Sequence, residues 1–187
     1  MATDLRSDAA ANRDRLIEAA REVFAEHGPD VKVEEIARRA GVGVGTLYRR
    51  FPGKEQLVSA ILEERVAELI RLLAGEPADT DPFTALGNFL EAVVRMQAED
   101  RGVLRLMAQS LGPAAYPDNV EEVYDAVWQL IRRGQRSGLI RPDVKKQDVP
   151  TLLRMANAAV SPVDETCTEI AAALRCSALL LDGLRPQ

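Results

Sequence analysis

The chain has 187 residues, 47% of them hydrophobic but only 4% aromatic, and a formal net charge of −5. That length supports one large or two small cores, and scarce aromatics beside abundant Ala and Leu favour an all-α fold over sheet. The acidic balance excludes a protein that coats nucleic acid non-specifically, yet it permits a sequence-specific reader, for which only the contacting surface must be positive. Residues 1–54 hold ten Lys and Arg against nine Asp and Glu, whereas the remainder holds fourteen against twenty.

The polar start, MATDLRSDAAANRDR, carries no secretory signal pattern and is expected to be disordered over residues 1–11. In the first helix Leu16, Ala20, Val23 and Phe24 form the inward face, and Gly28-Pro29 ends it. His27, the single histidine, reads as a polar cap at that end.

The most informative stretch is VEEIARRAGVGVGTLYRRFPGK, Val33 to Lys54. Val33, Ile36, Ala37 and Ala40 fall at i, i+3, i+4 and i+7 and make one apolar stripe. Gly41 supplies the left-handed conformation that ends a helix without a Cβ clash. A second short helix is expected to begin near Gly43, a weaker N-cap than Ser, with Leu47 and Phe51 pointing inward. Two short helices joined by a turn of three or four residues are a helix-turn-helix. Gly45, Thr46, Tyr48, Arg49 and Arg50 are then left on the outer face. Arg pairs bidentately with guanine edges or with phosphate, and Thr and Tyr hydroxyls bind phosphate oxygens. Gly45 lets the helix approach DNA closely, Pro52 stops it, and Lys54 begins the next helix, where the positive dipole end also favours an anion.

The positions Ile36-Ala37, Ala40-Gly41-Val42, Gly45-Thr46-Leu47-Tyr48, Phe51, Lys54-Glu55 and Leu57 resemble the TetR family of bacterial transcriptional regulators. The resemblance covers about Asn12 to Leu57; beyond it, only length, helicity and the closing segment Leu179 to Leu184 are similar. It implies an N-terminal three-helix DNA-binding domain, residues 1–54, and a C-terminal ligand-binding and dimerisation domain, residues 55–187. It implies further that Thr46, Tyr48 and Lys54 contact phosphate while Gly45 and Arg49 lie near base edges or backbone. The chain departs from the family at Gly43, where a capping Ser is frequent, and at Val44, where a polar or basic residue is frequent. Val44 either packs inward or touches a thymine methyl. Lys32 stands where a Thr or Ser cap is frequent, and reads either as a phosphate contact or as a solvated lysine.

Long helices follow. Glu55 to Ala74 carries a broad apolar face and ends at Gly75-Glu76-Pro77. Asp81-Pro82 reads as an N-cap followed by Pro at the first helical position, Gly102 as the break after that helix, and Val103 to Leu111 as a short helix. Asp118 is expected to cap the next helix, which ends around Gly138-Leu139-Ile140-Arg141-Pro142. The last two helices are expected over about Gln147 to Val160 and Cys167 to Leu184. Cys167 and Cys176 have the spacing of neither a zinc site nor an obvious disulfide and read as small buried residues.

By resemblance the middle helices hold an inducer pocket, mostly apolar with a few polar anchors. Candidate lining residues are Phe83, Phe89, Met96, Leu104, Met107, Tyr124, Trp128, Met155 and Asn157, although each could equally be plain core. The final two helices imply a homodimer, which would place two recognition helices on half-sites one DNA turn apart. The chain is thus expected to be a cytoplasmic, homodimeric repressor. It would be released from a near-palindromic double-stranded operator by a small, largely apolar effector. No converging catalytic set, metal site, cofactor loop or membrane-spanning run is legible. A helical interaction module without DNA binding is the competing class.

Overall fold

The computed structural model describes residues 2–28, 30–77, 79–106, 117, 119–158 and 170–186. They form helices only: α1 (Ala2–His27), α2 (Val33–Arg39), α3 (Val44–Arg50), α4 (Lys54–Gly75), α5 (Pro82–Glu99), α6 (Arg101–Leu106), α7 (Val120–Arg136), α8 (Val149–Ala158) and α9 (Ile170–Asp182). None of these helices is long and apolar enough to cross a membrane. Helix α1 begins at Ala2. Ala9 to Ala11 are strong helix formers.

The described residues fall into two compact units, one drawn from Met1–Glu63 and Asp100–Tyr116, the other from Glu64–Glu99 and Pro117–Gln187. The division runs inside α4, nine residues past the boundary read from the sequence, and α6 joins the N-terminal unit. Gly102 explains this. It does not break a helix but sits buried within α6, where a Cβ would lie 1.9 Å from the Phe24 carbonyl oxygen of α1. Only a glycine permits that backbone approach. Arg21 of α1 reinforces it by donating from Nε to the buried Asp100 carboxylate at 3.1 Å.

The N-terminal core gathers Leu16, Ile17, Ala20, Val23 and Phe24 of α1 with Ile36, Ala37, Leu47, Phe51, Leu57 and Ile61, and Leu104 of α6 packs against it. The C-terminal core is built on Phe83, Leu86, Phe89, Leu90 and Val93 of α5 with Val123, Val127 and Ile131 of α7, Leu153 and Ala156 of α8, and Leu184. Asp81 starts α5 as the sequence suggests: its Oδ1 accepts from the backbone N–H groups of Phe83 (3.1 Å) and Thr84 (2.9 Å). The Thr84 hydroxyl, together with those backbone bonds, holds its carboxyl below the ordinary value. At the other end of α7, Gly138 has φ +72°. The N–H groups of Leu139 and Gly138 close onto the carbonyls of Gly134 and Gln135, the Schellman arrangement. Asp118, Met107 and Cys167 lie outside the described residues. Cys176 is exposed rather than buried, because it falls on the outer side of α9 while Ala173 and Ser177 face in.

Candidate nucleic-acid interface

The geometry of the site begins with α2. Its apolar stripe is buried as the periodicity predicts, with Ile36 and Ala37 fully covered and Val33 and Ala40 nearly so. Two ion pairs lock this helix to α1: Arg39 donates to Glu22 at 2.9 Å and to Glu26 at 2.6 and 3.0 Å. The bond from Arg39 holds the Glu26 carboxyl below its ordinary value. Arg38 binds Glu35 on the same helix, through Nε at 3.1 Å. The cations of α2 are therefore neutralised within the protein, and they hold α2 in place rather than projecting toward a partner.

Gly41 then turns the chain at φ +67°. The Val42 N–H reaches the Ala37 carbonyl at 3.0 Å and the Gly41 N–H the Arg38 carbonyl at 3.2 Å, again a Schellman closure. Gly43 is the N-cap of α3, with extended backbone and no side chain to cap with; its carbonyl accepts from Thr46 and Leu47. Leu47 is fully buried and Phe51 nearly so, which anchors α3 on the N-terminal core.

With those two residues inward, the rest of α3 divides into i, i+4 strips. Gly45 and Arg49 are exposed and adjoin the strip of Thr46 and Arg50. Thr46, Arg49 and Arg50 line a groove with Asn12, Arg13 and Leu16 of α1. Three arginines line it and no carboxylate does. Arg49 donates to the Thr46 hydroxyl at 3.2 Å, which orients its guanidinium along this groove. Arg13, which pairs with Asp14 and Glu63 at 3.8 and 3.9 Å, is absent from the sequence-based set of site residues. It stands three residues before Leu16 on α1, and spacing within α1 does not show that this end of the helix lies beside α3. The other strip is Val44 and Tyr48, 38% and 44% exposed.

Lys32 is the exposed N-cap residue of α2 and makes no side-chain cap bond. Lys54 opens α4. From residue 41 to residue 54 the chain carries three cations and no acid. A bare, cationic, acid-free helix face beside a groove lined by arginine suits a polyanion.

The nine ligand-pocket candidates are scattered. Phe83 and Phe89 are buried in the C-terminal core, and Arg185 stacks over the Phe83 ring at 3.9 Å. Tyr124 and Trp128 are half-buried at its edge, and Met96 is half-buried on α5. Leu104 belongs to the other core, and Met155 is 49% exposed. Asn157 lies in α8, its side chain outside the described residues, as is Met107 altogether. Among the described residues, one apolar cavity of the C-terminal unit, of about 20 Å³, is lined by Leu86, Leu90, Val127, Ile131, Leu152, Leu180 and their neighbours.

Comparison with known proteins agrees with this architecture. Residues 16–61 match the family described as bacterial regulatory proteins, tetR family, and residues 81–186 match the C-terminal domain of transcriptional regulators described as SbtR-like. A TetR transcriptional regulator from Streptomyces coelicolor is 34% identical, covering 94% of this chain and 99% of its own, with a TM-score of 0.68. A TetR transcription regulatory protein from Mycobacterium vanbaalenii is 35% identical, covering 97% and 99%, also with a TM-score of 0.68. The transcriptional regulator UidR of Escherichia coli K12 is 28% identical over 163 residues, 82% of this chain and 81% of its own. With its helix-turn-helix in place and both parts of the chain matched, this protein belongs to the TetR family of bacterial transcriptional regulators.

Proposed function

We propose that the chain is a homodimeric repressor that holds a near-palindromic operator and releases it on binding a small, largely apolar ligand. The observation that carries the DNA face is the set Arg13, Thr46, Arg49 and Arg50, gathered on one groove that no carboxylate lines. In this reading those side chains, with Tyr48, Lys54 and Lys32, grip phosphates on either side of the major groove. Gly43, Val44 and Gly45 present the least obstructed part of α3 to the base edges. One seven-residue helix makes few contacts, so two copies on half-sites roughly 34–36 Å apart are required for useful affinity.

Apolar exposure supports the dimer. Leu179 is 71% exposed, Met155 49% and Ile170 40%, all on the last two helices, where a monomer gains nothing from them. The C-terminal unit supports the ligand reading in a limited way. A cavity of about 20 Å³ holds roughly one water, far below the roughly 300 Å³ of a ligand pocket. In this reading the ligand prefers an expanded conformer of the core, and that preference shifts the population. α4, which supplies residues to both units, is the continuous element through which expansion reaches α3.

Selection of duplexes from a random pool tests the reading. The expected result is an enriched inverted repeat with half-site centres one helical turn apart. A pool that stays unenriched, or yields a single unrepeated site bound by a monomer, contradicts it.

A further inference from the structure

Val44 is the first residue of α3, and the leading residues of a recognition helix are the ones that meet base edges. Its side chain is 38% exposed, and both of its chain neighbours are glycines. Among the described residues, a Cβ built on Gly45 meets nothing within 4 Å, and one built on Gly43 meets only the Thr46 hydroxyl at 4.0 Å. Between two residues without side chains, the Val44 isopropyl group projects one turn before Tyr48. It is also stiff, since β-branching leaves one strongly preferred χ1 rotamer in a helix.

The charged side chains lie elsewhere on the helix. Thr46, Arg49 and Arg50 line the groove shared with Asn12 and Arg13, whereas Val44 pairs at i, i+4 with Tyr48 on the other flank. A base edge facing Val44 meets neither a hydrogen-bond donor nor an acceptor from that side chain. In the major groove the one apolar feature on any base is the thymine 5-methyl group. An exposed isopropyl group costs nothing in the free protein, but would desolvate a donor or acceptor of guanine, cytosine or adenine without returning a hydrogen bond.

We propose that Val44 is a specificity-determining residue that reads a thymine methyl at one fixed position in each operator half-site. The inference rests on the DNA-binding reading above and assigns part of the operator's sequence from the protein side.

The test uses the full chain and its selected operator, with each thymine replaced in turn by deoxyuridine. That change removes the methyl group and leaves base pairing intact. The expected result is one position per half-site where replacement weakens wild-type binding by roughly fourfold, the factor carried by one buried methyl group. In Val44→Ala the thymine and deoxyuridine duplexes bind alike at that position, while Thr46 and Arg49 contacts keep the remaining affinity measurable. Uniform tolerance of deoxyuridine by the wild type overturns the inference and leaves the DNA reading intact. So does a methyl preference that persists undiminished in Val44→Ala. Failure to enrich any duplex overturns the DNA reading, and the inference with it.

Discussion

Gly45 and Gly102 give opposite answers to the addition of one methyl group. Around Gly45 there is nothing within 4 Å of a new Cβ, whereas at Gly102 the Cβ would lie 1.9 Å from one backbone atom of Phe24 and 2.3 Å from another. Gly45→Ala is therefore expected to stabilise the free protein by about 0.5–1 kcal/mol, the ordinary gain of Ala over Gly in a helix. Operator affinity should nonetheless fall, because α3 is held away from the DNA. Gly102→Ala forces α6 off α1 and should cost at least about 1–3 kcal/mol, the overpacking range, in a urea titration followed by circular dichroism. Equal stability of the two variants would contradict the close approach of α6 to α1. A Gly45→Ala protein with undiminished operator affinity would remove that glycine from the interface.

At the scale of elements, α2 is held by Arg39 as well as by its apolar stripe. The Glu26 carboxyl lies below its ordinary value of 4.5, chiefly through the hydrogen bond from Arg39. A folded-state value below the unfolded one means that the unfolded chain binds the proton more readily. The pair thus contributes stability above about pH 4.5 that disappears as the pH falls through the depressed folded value. Arg39→Ala should lower stability at pH 7 and flatten its decline between pH 5 and pH 3. Parallel acid limbs in wild type and variant would show that the pair does not hold α2. The ends of α2 and α7 offer a second check: Gly41→Ala or Gly138→Ala must adopt φ near +70°, at a cost of about 1–2 kcal/mol.

Much of this element-level detail was legible in the chain, for a physical reason. Gly41, Gly43, Leu47 and Phe51 act within one or two turns of themselves, and Asp81-Pro82 caps the helix it begins. Such local chemistry can be read from spacing. Arg13 beside Arg49, Gly102 beneath α1 and the aliphatic lining of the cavity could not be read that way. Each depends on which faces of distant helices meet, and helical periodicity gives the face of a residue but not its neighbour.

On the scale of the whole molecule, the acidic balance and the DNA-binding assignment are reconciled by where the charges act. The cations of α2 are paired inside the protein, those around α3 are gathered on one groove, and the acidic excess belongs to residues 55–187. If α8 and α9 carry the dimer contact, Leu179→Glu places a charge in an apolar interface and should yield monomers by sedimentation velocity. Helix content should be unchanged, because Leu179 is 71% exposed in the single chain. Operator affinity would fall with the dimer. A Leu179→Glu protein that remains dimeric would move the interface elsewhere. The central claim is that the groove-lining face of α3 binds operator DNA. It is tested most directly by fluorescence anisotropy titrations of the selected duplex over a range of salt concentrations, with wild type and with the Tyr48→Phe/Arg49→Ala double variant. The account predicts a steep fall of log affinity with log salt for the wild type, and for the variant weaker binding and a shallower slope. A wild-type slope near zero, or a double variant that binds as the wild type does, would contradict it.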